Sequence, residues 1–183
     1  MKMFKKLMAV ALAGVMALAV LTGCGSSLNE KEIIKQMNDQ LTVNSMVDPS
    51  YKDFKEFKAD KEMDAKAATI AKKVAEKAKT QAEIETLLAS DEMKDILVGK
   101  DDTNKYIVSY VKSVSFGSKY FKTNKDSIDL GVIDSNGEEF SDSTAQVGRE
   151  TKDAVVGVGF ADVTVGDSVY TIVVMKVPTQ KKA

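Results

Sequence analysis

Histidine and tryptophan are absent from this chain, and arginine and cysteine occur once each, at Arg149 and Cys24. Without histidine, the commonest zinc ligand and the usual acid/base group at neutral pH are both missing. An enzyme built from these residues has to rely on a Ser/Lys pair, on paired carboxylates, or on a hard cation held by carboxylates. Arg149 stands alone among 26 basic residues, which argues against bidentate guanidinium clamps as the main recognition device. A single cysteine permits no internal disulfide, so stability has to come from packing.

Charge gives no support for nucleic acid binding. Residues 1–23 hold three lysines and no acid, so the remainder sets 23 basic side chains against 27 acidic ones, a net charge near −4. Such a mildly acidic surface offers no electrostatic footprint for a polyphosphate backbone.

What is present is most definite at the start. Lys2, Lys5 and Lys6 precede an apolar run, Leu7 to Val20, that closes on Leu21-Thr22-Gly23-Cys24. A charged start, an apolar stretch of about 15 residues and small residues before a cut form the three-part pattern of a secretory signal. The stretch is too short and too rich in Ala and Gly for a permanent span, which needs about 20 apolar residues. Leu21-Thr22-Gly23-Cys24 resembles the lipobox of bacterial lipoproteins. The resemblance implies that residues 1–23 are removed and that the Cys24 thiol carries acyl chains, with residues 24–28 as a lipidated tether. It also implies export and anchoring at the outer face of the cell membrane, each buried CH₂ contributing about 0.8 kcal/mol to attachment. The membrane is then one partner, reached through Cys24, and an envelope protein or glycan is the other expected partner class.

Residues 29–183 are expected to form one α+β domain, helical over 29–99 and strand-rich over 104–178. Asn29 with Glu32 reads as a capping pair, and Ile33, Ile34, Met37 and Leu41 mark one face of a first helix. Asp48-Pro49 reads as a second helix start, with Tyr51, Phe54 and Phe57 on one stripe. Met63, Ala67, Ile70, Ala71, Val74 and Ala78 continue at helical spacing. Thr80 with Glu83 forms a capping box before Ile84, Leu87 and Leu88, and Ser90 caps a last short helix through Met93 and Leu97.

After Lys100-Asp101-Asp102 the period changes from 3.6 to 2. Strands are expected over Tyr106–Phe116, Ile128–Ile133, Val155–Val163 and Val169–Val177. Thr164-Val165-Gly166-Asp167 joins the last two as a hairpin. Val156, Val158 and Phe160 share one face of their strand while Gly157 and Gly159 lie on the other, where missing side chains admit a helix or another backbone. Helices first and strands afterwards predict helices laid over an antiparallel sheet of about four strands, in two layers.

The helix-forming segment from Phe57 through Met63 to Ala71, and Val156-Gly157-Val158-Gly159-Phe160 with its following strand, resemble parts of CAP-superfamily domains. That resemblance implies a scaffold of helices on a sheet around a cleft lined by His and Glu. This chain has no histidine, so only a degenerate scaffold, without the site, carries over.

Candidate contact residues are few. Tyr120 and Phe121, near Gly117, are less clearly core than the other aromatics and are expected to make an exposed ligand or partner contact, with Arg149 as an anion or ion-pair contact. Ser115-Phe116-Gly117-Ser118-Lys119 places Ser near Lys but matches no acyl-transfer signature. The acids at Glu138-Glu139, Asp142, Glu150 and Asp153 lack the ladder of an EF-hand loop. No metal, cofactor or catalytic residue is assigned. The expected function is a lipid-anchored extracytoplasmic binding or protein-interaction module without catalytic activity, too small for a two-lobed solute receptor. A carboxylate-based or metal-assisted hydrolase of the cell envelope is the alternative.

Overall fold

Two glycines on one strand set the position of the whole helical layer. In the computed structural model, residues 27–47, 52–100, 102–113, 138–141 and 147–181 are described. The chain runs α1 (Ser27–Val47), β1 (Phe54–Ala59), α2 (Lys61–Lys77), α3 (Gln81–Leu88), α4 (Asp91–Leu97) and β2 (Lys105–Ser113). It continues through β3 (Glu138–Phe140), β4 (Val147–Glu150), β5 (Ala154–Val165), β6 (Ser168–Val177) and β7 (Thr179–Lys181). The main sheet has five strands in the order β1-β5-β6-β2-β3, and β4 pairs with β7 in a separate two-stranded sheet. The fold class is α+β, with α2, α3 and α4 packed on one sheet face.

The hairpin forms where expected. β5 and β6 pair antiparallel from Gly157↔Lys176 to Val165↔Ser168, closed by Gly166-Asp167 with Gly166 at φ +58°. A positive φ at the first central residue alone is the pattern of a type II′ turn, which glycine adopts without steric cost. β6 also pairs antiparallel with β2 along the full length of β2, from Lys105↔Val177 to Ser113↔Val169.

The helical stripe anticipated along α2 is the stripe that is buried: Met63, Ala67, Ile70, Ala71 and Val74. It packs with Ile84 and Leu88 of α3, Met93 and Leu97 of α4, and Tyr106, Val108, Val163, Val165, Ile172 and Val174 of the sheet. The Thr80/Glu83 capping box is complete: Thr80 Oγ1 accepts from Glu83 N, and the Glu83 carboxylate accepts from Thr80 N. Ser90 precedes α4 without a side-chain cap; its hydroxyl donates instead to Leu87 O at 2.6 Å.

Three expectations are corrected. Phe54 and Phe57 lie on a strand, β1, and not on a helical stripe, so the segment 29–99 is not helical throughout. β1 pairs parallel with β5, making the sheet mixed, with five strands where about four antiparallel ones were expected. The reason is local: an i, i+3 spacing puts residues on opposite faces of a regular strand, but a register irregularity between Phe54 and Glu56 brings both phenylalanines to buried positions. Bulged strands therefore mimic helical periodicity. The expected strand Ile128–Ile133 lies outside the described residues.

The glycines face α2. A Cβ at Gly159 would lie 2.1 Å from Asp64 N and from Met63 C, and one at Gly157 would lie 2.6 Å from Asp60 Oδ2. The backbone of the first helical turn thus rests on the backbone of β5. Around this contact Asp60 N donates to Val158 O at 3.0 Å and Phe160 N donates to Asp64 Oδ1 at 3.1 Å. Asp64 supplies the acceptor that β1, ending at Ala59, no longer provides.

Gly159→Ala is therefore expected to cost about 3 kcal/mol, because only backbone can yield, whereas Gly157→Ala costs about 1 kcal/mol by displacing one carboxylate. Urea unfolding of both variants checks this; equal losses would contradict the assigned contact.

Candidate functional site

A polar constellation lies on the helix-bearing face, where one cross-strand row aligns Gly157, Lys176 and Tyr106. Each member has a task. Gly157 leaves room for Asp60, the N-cap of α2, whose carboxylate accepts from Glu62 N at 2.9 Å. Lys176 reaches up from β6 to Asp60 Oδ2 at 3.1 Å and Glu62 Oε2 at 3.0 Å. Tyr106 donates to Asp102 Oδ2 at 2.7 Å, and Lys66 Nζ sits 5.0 Å from the centre of its ring. The same ammonium donates to Ile96 O and Leu97 O at 3.1 and 2.6 Å, closing the C-terminus of α4 where a positive charge is favoured.

Electrostatics follow from these contacts. Burial pushes the Asp60 carboxyl up, but the Lys176 hydrogen bond, the Glu62 and Met63 amides and the ammonium charge outweigh it, and its pKa falls below the usual value. Burial alone would lower Lys176; its bonds to Glu62 and Asp60 raise it overall. Burial, then the bond to anionic Asp102, raise the Tyr106 phenol well above its ordinary value. The phenol therefore stays protonated at neutral pH, unsuited to act as base or nucleophile.

Two further clusters join elements. The Tyr110 hydroxyl donates to Glu85 and accepts from Gln81 Nε2 at 2.9 Å, and the Tyr110 ring meets Tyr170 edge-on at 5.8 Å. Lys73 and Lys77 of α2 both bind the Glu92 carboxylate of α4 at 2.5 Å.

Chemically, the row of Asp60, Glu62, Lys176, Lys66, Tyr106 and Asp102 is a clamp. Its carboxylates and ammonium groups are spent on one another and on helix ends, which fixes α2 and α4 over the sheet. Among the described residues, no three His, Cys, Asp or Glu side chains converge to hold a metal ion. Glu138 and Glu139 lie on β3, Glu150 ends β4, and Asp153 sits in the following turn at φ +58°.

Of the residues singled out in the sequence, Cys24, Tyr120 and Phe121 lie outside the described residues, as does the Ser115–Lys119 segment. Arg149 falls on β4, which pairs with β7 near the C-terminus. The clamp itself was not singled out. Lys176, a lone cation inside the apolar run Val169–Val177, was the signal that could have revealed it. No family model, curated protein or solved structure matches this chain.

The clamp makes stability depend on pH with a worked sign. A depressed Asp60 contributes stability above its unfolded value near 3.8, lost as pH falls through its folded value. The raised Lys176 contributes below about 10.5, lost as pH rises through its folded value. Unfolding free energy is expected to be flat through neutral pH and to fall on both limbs. Asp60→Ala should cost about 1–2 kcal/mol at pH 7 and flatten the acid limb. Asp60→Asn should keep most of the cap, and an unchanged acid limb in either variant would contradict the assignment.

Proposed function

We propose that this protein is a lipid-anchored, extracytoplasmic binding or protein-interaction module without catalytic activity. The observation that carries the reading is Leu21-Thr22-Gly23-Cys24 after a charged and apolar leader, with the chain's sole cysteine at the position that accepts lipid. The spacing beyond it is consistent: two residues, Gly25 and Ser26, separate Cys24 from the first residue of α1. At about 3.5 Å each, they hold the start of α1 within roughly 10 Å of an anchored cysteine. Attachment is assigned to acyl chains on Cys24 because the apolar run Leu7 to Val20 is shorter than the about 20 residues a permanent span needs.

The non-catalytic part of the reading is supported by the side-chain inventory and by the clamp. Histidine is missing, and the charged groups that the fold gathers are paired across elements. Recognition is assigned to surface, with an envelope protein or glycan as the class of partner.

Expression in a bacterial host with an alkyne-bearing fatty acid tests the anchor. Wild-type protein is expected to carry the label and enter the detergent phase, while Cys24→Ala loses both. Unlabelled wild-type protein, or label retained by Cys24→Ala, would overturn it. Thermal unfolding against divalent metals, envelope glycan fragments and small metabolites tests the binding class. A ligand at 100 times its Kd adds about 2.7 kcal/mol, which shifts the Tm of a domain this size by roughly 5–10 °C. A shift with glycans supports the module reading; a shift confined to metals, with hydrolytic activity, would replace it.

A further inference from the structure

β1 is an edge strand of the sheet, and Asn38 of α1 bonds to its outer edge. Phe57 N donates to Asn38 Oδ1 at 2.7 Å, and Asn38 Nδ2 donates to Phe57 O at 2.9 Å. The amide of Asn38 stands where a peptide group of a neighbouring strand would stand. It reproduces the pair of bonds that two residues exchange at a hydrogen-bonded position of an antiparallel ladder. Among the described side chains of α1, Met37 and Leu41 are buried and Asn38 is half-buried. The C-terminal half of α1 contains weak helix formers, and Thr42 and Ser45 turn their hydroxyls back to Asn38 O and Thr42 O of the helix itself.

The exposed side chains of β1 select what can take its place. With a two-fold axis at Phe57, a second β1 runs antiparallel and Phe57 exchanges both backbone bonds with its own copy. Glu56 then lies opposite Lys58 on each side of the axis, and both side chains are exposed. Neighbouring registers are repulsive: an axis at Glu56 sets that residue against itself, and one at Lys58 sets lysine against lysine and Glu56 against Asp60. The charges of this strand thus specify one symmetric pairing.

We propose that β1 is a self-association strand guarded by α1, and that undocking of α1 lets two copies join edge to edge about Phe57 in an isologous interface. The occupant is a second copy of this chain, and Asn38 is the latch.

Full-length protein in detergent micelles tests this, as an equal mixture of light and heavy isotope forms treated with a carbodiimide that joins carboxylates to adjacent amines. Asn38→Ala is expected to raise the dimer yield roughly tenfold over wild type, since two hydrogen bonds guard the edge. A mixed-isotope peptide should join Glu56 to Lys58. Adding Glu56→Lys should return the protein to monomer, and adding Lys58→Glu to that should restore the dimer. An Asn38→Ala protein that is monomeric with native circular dichroism overturns the proposal, as does a dimer indifferent to Glu56→Lys. Should Asn38→Ala unfold, Asn38→Asp decides: it keeps the acceptor for Phe57 N and loses only the donor, so a folded but monomeric Asn38→Asp protein overturns the proposal and an intermediate dimer yield supports it.

Discussion

The first turn of α2 rests on β5 at Gly159, backbone against backbone, and the helical layer takes its place from that contact. A side chain there would lie 2.1 Å from the Met63 and Asp64 backbone, so the spacing between helix and sheet depends on a missing Cβ. At that spacing Asp64 reaches the Phe160 amide, Asp60 continues the parallel ladder past the end of β1, and the apolar stripe of α2 meets Ile172 and Val174. α3 and α4 then extend the same core through Ile84, Leu88, Met93 and Leu97.

The polar row beneath α2 complements this packing. Lys176 ties the acidic N-terminus of α2 to β6 through Asp60 and Glu62, and Lys66 of α2 caps the C-terminal carbonyls of α4, which would otherwise lack intrahelical partners. The price of placing charges in a half-buried layer is offset by mutual pairing, which is why these groups act as a clamp and not as reactive centres.

Much of this fold was legible because its signals are local. Gly157 and Gly159 alternate with Val156, Val158 and Phe160, so a strand with one bare face could be read directly, and the Thr80/Glu83 box and α2 stripe follow from spacing alone. β1 was not legible: Phe54 and Phe57 stand three apart with charges between them, and only a bulge reconciles that spacing with a strand. Its parallel pairing with β5 joins segments about a hundred residues apart, which no window of sequence displays. The clamp was hidden for the same reason, since Lys176 meets Glu62 across a separation of 114 residues. The resemblance of Leu21-Thr22-Gly23-Cys24 to a lipobox rests on consecutive residues and needs no fold to be read.

Native-state hydrogen exchange tests most directly whether the seat of α2 on β5 holds the domain together while α1 opens separately from it. The Phe160 amide, with the amides of β6 and the middle of α2, should exchange only through global unfolding, all with one opening free energy. The Phe57 amide and those of α1 should open at distinctly lower free energy and together. Contradiction would take the form of α1 protected as strongly as α2, or of Phe160 exchanging early while β6 stays closed.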